Sequence, residues 1–264
     1  KKKALAKLNS FMKKIGYTDK WKDYKTVVVS DNDYVANVLS ASAYEYNFNL
    51  NKLGKPVDKT EWGMTPQTVN AYYNPAFNEI VFPAGILQYP FFDFKADDAL
   101  NYGGIGAVIG HEMTHGFDDQ GRQYDANGNL NDWWTKEDAQ KFVDKANVVV
   151  KQFNSYVVLD TVHVKGELTL GENLADLGGI AIAYEAFKKT TQGKGNEPWR
   201  KVCCWWRSIT RKPRRMSFMI GTIWNTFRNA NGSPASAPAN AGSASPTPNT
   251  PSRATNSTAS TSSK

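Results

Sequence analysis

Two of the three histidines in this 264-residue chain stand four apart, in His111-Glu112-Met113-Thr114-His115. Residues at that spacing share one face of a helix, so both imidazoles can turn toward a single metal ion. Glu112 follows the first histidine directly, where a carboxylate reaches a metal-coordinated water and accepts its proton. The pair therefore asks for a helix here, and for further ligands brought from elsewhere in the fold.

A hydrolytic zinc site uses three protein ligands and leaves one position for water. The best candidate for the third ligand is Glu172, in Gly171-Glu172-Asn173-Leu174-Ala175-Asp176, at the start of a second expected helix. Asp176 lies one turn further on the same face. From there its carboxylate can accept an N–H from a ligand histidine, fixing the tautomer and raising its basicity. Asp118, three residues after His115, is placed to do the same for the other histidine. Each element also has a plainer reading. The histidine pattern occurs on helices that hold no metal, and Glu172 and Asp176 also suit a solvated helix start. His163, between two valines, reads as a strand or loop histidine.

The net charge of +7 reports a tail rather than a body. Residues 200–264 carry ten Lys or Arg and no acid, which leaves 22 basic residues against all 25 acidic ones before them. The body is mildly acidic and gives no footprint for nucleic acid, which is not expected as a partner; only the tail leaves a binding role toward anionic surfaces or nucleic acid open. Two cysteines, Cys203 and Cys204, are adjacent and build no disulfide framework. With 41% hydrophobic residues the chain can bury a core unaided. No apolar run is long enough to span a membrane. The chain starts at Lys1 with no visible signal peptide, and reads as a fragment of something longer. A cytoplasmic location is expected, with export or anchoring through a missing N-terminal region as the alternative.

Helical spacing through Ala4, Leu5, Leu8, Phe11, Met12 and Ile15 predicts an amphipathic helix ended by Gly16. Residues 26–29 are a short β-branched run. Tyr34 to Leu50 predicts a second helix. Residues 68–73 and 79–82 read as strands flanking the turn signal Asn74-Pro75, as a hairpin or an edge strand beside a cleft. The metal-binding helix is expected over 107–117, after Gly103, Gly104 and Gly106. Thr135 to Asp138 resembles a capping box opening a helix toward Tyr156. A further helix is expected over 171–189. The composition shifts near Trp199. A basic Trp/Arg-rich segment covers 200–228, and a Ser/Thr/Pro-rich tail over 229–264 is expected to be disordered.

Several long motifs in order resemble one family, the neprilysin-like zinc metallopeptidases of family M13, which includes bacterial oligopeptidase O. They are residues 61–66 (Glu-Trp-Gly-Met-Thr-Pro), 70–75 (Asn-Ala-Tyr-Tyr-Asn-Pro), 78–84 (Asn-Glu-Ile-Val-Phe-Pro-Ala), 108–119 around the histidine pair, and 171–179 around Glu172. The paucity of cysteine resembles the bacterial members. The resemblance implies an α+β fold: a mostly helical zincin catalytic domain over 1–199 with a small β-sheet. It implies one Zn2+ per chain, held by His111, His115 and Glu172, with Glu112 as general base and later proton donor. Asp176, counted with Glu112 among the catalytic residues, and Asp118 would orient the histidines. Asn70 and Ala71 would hydrogen-bond the backbone of an oligopeptide substrate along a strand edge. The implied activity is zinc-dependent endopeptidase hydrolysis of oligopeptides, with a non-catalytic zinc- or peptide-binding remnant as the alternative.

One departure stands out. The family's later Asp-x-His-x-Pro and Arg-x-Asn segments, whose His and Arg bind the oxyanion and substrate carbonyl, have no counterpart here. No histidine follows His163 and no acidic residue follows Glu197. The expectation is that translation leaves the family's reading frame near Trp199, and that this chain is weakly active or inactive.

Overall fold

The structure, a computed structural model, describes residues 1–194. The basic segment 200–228 and the tail 229–264, with the disorder and the frame change expected there, lie outside the described residues.

A three-stranded sheet in the order β1-β3-β2 backs the helix that carries the histidine pair. Its centre is β3 (Glu79–Pro83), buried at every residue. The run Ile80-Val81-Phe82 suits such a strand, being apolar toward both faces. β2 (Tyr72–Asn74) pairs with it antiparallel, Tyr72 opposite Val81. Between them Asn74 Oδ1 accepts from the Ala76 amide at 3.1 Å, and Asn78 takes the left-handed conformation at φ 52°. The hairpin is present, and β2 forms one edge of the sheet.

The N-terminal expectation is corrected. Helical spacing runs to Ile15, but α1 (Lys2–Asn9) stops early and β1 (Met12–Gly16) lies parallel to β3. Ser10 ends the helix, its hydroxyl donating to the Lys7 carbonyl at 2.8 Å. The Met12 amide then bonds the Asn78 carbonyl at 3.0 Å. The remaining edge of β3 offers a ladder, and this pairing outweighs a weak local helical preference. Alternation in β1 turns Lys14 inward, where its ammonium meets the buried Glu79 carboxylate at 2.6 Å. Gly16, at φ 90°, ends a strand rather than a helix. Residues 26–29 form no strand, and Val28 and Val29 are exposed.

α2 (Tyr34–Leu50) forms as its spacing predicts, with Asp33 accepting from the Ala36 amide. None of its residues is buried. The core lies instead between the sheet and α4 (Ala107–His115). Phe11, Ala71, Ile80, Phe82, Ile86 and Ile105 form it, with Met113 and Phe117 packed against it. Each large apolar side chain buried there stabilises by about 1.5–3 kcal/mol. α3 (Asp98–Asn101) and a π-helical turn, Tyr102–Gly106, lead into α4. Such turns favour functional sites because they re-aim the following helix.

α5 (Lys136–Asn154) opens on Thr135, whose hydroxyl accepts from the Asp138 amide at 3.1 Å and donates to the Asp138 carboxylate at 2.9 Å. The reciprocal bond thus runs to the hydroxyl rather than to the Thr135 amide. A short hairpin, β4 (Val157–Leu159) with β5 (Val162–His163), precedes α6 (Leu170–Phe187). The result is a mostly helical α+β fold with small sheets. No helix among the described residues is long and apolar enough to cross a membrane.

Lys7 is the unexpected member of the interior. It is 1% exposed, and its three N–H groups each meet one carbonyl, of Gly116, Gly121 and Tyr124, at 2.7 Å. Burial pushes its pKa down to about 8 from 10.5, against the pull of Asp118 and Asp125. Below pH 8 the ammonium is charged in folded and unfolded chains alike, and its burial opposes folding in full. From about pH 8 to 10.5 the unfolded chain holds a proton that the folded chain has released, so stability rises with pH. The unfolding free energy of the native chain, measured against Lys7→Met, should therefore gain across that window. The gain is up to about tenfold in the folding constant per pH unit. A flat or falling difference in denaturant titrations contradicts this reading.

Candidate metal centre

α4 and α6 meet at glycines. A methyl group on Gly179 would stand 2.6 Å from the Ala107 carbonyl oxygen and 2.8 Å from the His111 nitrogen. One on Gly110 would stand 2.7 Å from the Gly179 carbonyl oxygen, and one on Gly178 would overlap Thr114 Oγ1. The helices touch backbone to backbone, closer than any pair of side chains allows. That contact brings the first two turns of α6 over the histidine pair.

The consequence is a triangle of donor atoms. His111 Nε2 and His115 Nε2 are 2.9 Å apart. Glu172 Oε2 lies 3.3 Å from the first and 3.6 Å from the second. Among the described residues, these three form the group of His, Cys, Asp and Glu placed to hold a metal ion. Tetrahedral zinc with ligands at about 2.0–2.1 Å places neighbouring ligand atoms about 3.3 Å apart, the value that the three separations straddle. The residues present fit zinc in number, type and spacing.

The outward nitrogens of both rings are taken by carboxylates. His111 Nδ1 is 2.9 Å from Asp176 Oδ1, and His115 Nδ1 is 2.7 Å from Asp118 Oδ2. A carboxylate there holds the proton on Nδ1 and leaves the Nε2 lone pair for a metal. Burial opposes the charged form of His111, but the hydrogen bond and charge of Asp176 outweigh it and raise its pKa. The same balance, with Asp118 foremost among the raising partners, lifts His115. Both rings are more basic than free imidazole, as good ligands are.

Glu112, next to His111 on α4, is 5% exposed and close enough to both imidazoles and Glu172 to feel their charges. Desolvation raises its pKa above the ordinary glutamate value, against the two histidines and the Tyr73 backbone amide, which lower it. Glu172 and Asp176 stand largely in solvent, with side chains 70% and 54% exposed. The triangle is thus closed on the α4 side and open toward solvent.

The structure brings His111, His115, Glu172, Asp118 and Asp176 together in one cluster. His163 lies in the separate hairpin, its Nδ1 2.9 Å from the Asn154 carbonyl. Asn70 and Ala71 stand at the entry to β2, Asn70 exposed and Ala71 buried, with the Ala71 amide donating to Asn70 Oδ1 at 2.9 Å. Sequence reasoning missed Lys7 and the glycine contact. Lys7 was legible in principle: Ala4, Lys7, Leu8 and Phe11 form one helical stripe, with a cation in its middle.

The profile of Peptidase family M13 matches residues 70–200. An endothelin-converting enzyme homolog of Locusta migratoria is 50% identical over 176 residues, 67% of this chain and 24% of the relative. Together with the triangle just described, this decides the family. The chain belongs to peptidase family M13. Neprilysin-3 of Drosophila melanogaster is 45% identical over 197 residues, 72% of this chain and 25% of its own length. A crystal structure of Mycobacterium tuberculosis zinc metalloprotease Zmp1 with an inhibitor superposes with a TM-score of 0.78 at 42% identity, covering 87% of this chain and 39% of that one. This M13 chain spans about a quarter of the length of these curated relatives.

The glycine contact gives a prediction whose sign is informative. Replacing an exposed mid-helix glycine by alanine stabilises by up to about 1 kcal/mol. Gly179→Ala should instead destabilise, by about 1–3 kcal/mol, because backbone must move to admit the methyl. It should also weaken zinc binding, since α6 then carries Glu172 away from the imidazoles. Denaturant midpoints and chelator competition measure both. A variant as stable as the native chain contradicts the contact.

Proposed function

We propose that this chain is the zinc-binding catalytic part of an M13 endopeptidase that hydrolyses oligopeptides. One observation carries the proposal: two carboxylate-oriented imidazoles and Glu172 converge with the spacing zinc requires, beside a buried glutamate of raised pKa. His111, His115 and Glu172 hold the ion. When bound, zinc acts as a Lewis acid toward a carbonyl and brings the pKa of a water near 7.

The chain's own groups do the remaining work. Glu112 takes the water's proton on its carboxylate and delivers it to the departing amine. Burial suits it to both tasks, because a carboxylate of raised pKa is a better proton acceptor near neutrality. Asp176 and Asp118 keep the two Nδ1 protons in place throughout. The open edge at β2, entered through Asn70 and Ala71, receives the substrate as an added strand. The stabilisation that the family draws from its later His and Arg has no counterpart in this sequence. The loss of one such donor lowers kcat by about 10²–10³, so we propose that turnover by this chain is slow.

The test compares the native chain with Glu112→Gln. Loaded with zinc, the native chain should cleave a fluorogenic hydrophobic oligopeptide slowly and bind one zinc. Glu112→Gln should keep the zinc and lose at least about 10²-fold in rate. Equal rates contradict the assignment of the base. A native chain that binds one zinc without any turnover favours the second reading, a zinc- or peptide-binding remnant.

A further inference from the structure

We infer that Lys7 is a positioning residue for the metal centre, acting on His115 through Asp118. The inference rests on the zinc-site reading above and assigns a role to a residue far from the reacting atoms.

Lys7 sits on α1, more than a hundred residues from the segment it holds. Its ammonium gathers the carbonyls of Gly116, Gly121 and Tyr124, each at 2.7 Å. Gly116 is the residue that ends α4, directly after His115. A cation at a helix C-terminus is favoured by the partial negative charge of the unsatisfied carbonyls. Gly121 and Tyr124 belong to the loop that returns past that end. The ammonium therefore ties the end of the metal-binding helix to the loop, and Asp118 lies between the tied points.

Asp118 is 5% exposed and fully engaged. Its Oδ1 accepts from the Gln120 and Gly121 amides at 2.9 and 2.7 Å, and its Oδ2 takes the His115 ring at 2.7 Å. Gly121 thus gives its amide to Asp118 and its carbonyl to Lys7. A side chain at Gly121 would overlap the His115 carbonyl oxygen, so the loop closes at backbone distance around this point. The rings of Tyr73, Phe117 and Trp133 surround the ammonium at 5.8, 5.5 and 6.0 Å. They exclude water that would otherwise satisfy the three carbonyls. Trp133 Nε1 also donates to the Tyr124 carbonyl at 2.9 Å. Asn78, itself buried, holds the Lys7 carbonyl at 3.3 Å and so fixes the end of α1.

Removing the ammonium leaves three carbonyls without their shared donor and frees the loop to carry Asp118 away from His115. Asp176 reaches His111 from α6 and shares none of these contacts. The two orienting carboxylates should therefore respond differently to the loss of Lys7.

The experiment is a pair of double-mutant cycles read by zinc dissociation constant, from chelator competition, on the full chain. Circular dichroism establishes folding for each variant. Lys7→Met should weaken zinc binding about 10–100-fold, the range expected when a ligand's orienting partner is lost. Combined with Asp118→Asn it should add little, because both changes release the same ring. Combined with Asp176→Asn the losses should multiply, because the two act on different rings. Should Lys7→Met not fold, Lys7→Arg carries the same comparison, since its planar fork keeps the charge but not the threefold grip. Affinity within about twofold of native in a folded Lys7 variant overturns the inference, as does full additivity with Asp118→Asn. Failure of the native chain to bind zinc overturns the zinc-site reading as well, and separates that failure from the role of Lys7.

Discussion

The contact of α4 with α6 at Gly110 and Gly179 is the constraint on which the centre depends. The histidine pair on α4 is local, and any helix with that spacing produces it. Glu172 and Asp176 arrive from a second helix, and their reach is short. A carboxylate oxygen can stand 3.3 Å from His111 Nε2 only if the helix backbones approach closely. Glycine permits that approach because nothing stands between the two chains. The same closeness fixes the direction of α6, so that residues one turn apart address the two nitrogens of one imidazole.

Around that contact the protein stacks its support in layers. The buried strand β3 and the core residues Phe11, Phe82 and Ile105 form the floor beneath α4. Asp118 and Asp176 hold the rings from opposite sides, one from the loop after α4 and one from α6. Glu112 is drawn into the floor while Glu172 stays in solvent. Two glutamates of similar intrinsic acidity are thereby separated by environment. Burial raises the pKa of Glu112, while Glu172 stands open to solvent within 3.3 Å of His111 Nε2.

Much of this was legible in the chain before its structure. The histidine pair, Glu172 and the two orienting aspartates follow from helical spacing and the ligand count of zinc. The cap at Thr135 and the turn at Asn74-Pro75 were read from local chemistry, which does not depend on distant partners. What escaped was decided by partners far along the sequence. Residues 12–16 carry helical periodicity, yet pair with β3 because its edge was open. α2 has the apolar spacing of a packed helix but buries none of its residues. Lys7 stands in an apolar stripe whose spacing gives no sign of its burial, because only the fold supplies the three carbonyls that make that burial tolerable.

The most direct measurement is the zinc coordination shell itself, by anomalous diffraction or X-ray absorption on the zinc-loaded chain. The expected result is a single ion bound by His111 Nε2, His115 Nε2 and one Glu172 oxygen, at about 2.0–2.2 Å. An ion held by other residues, or one lacking Glu172, would contradict it.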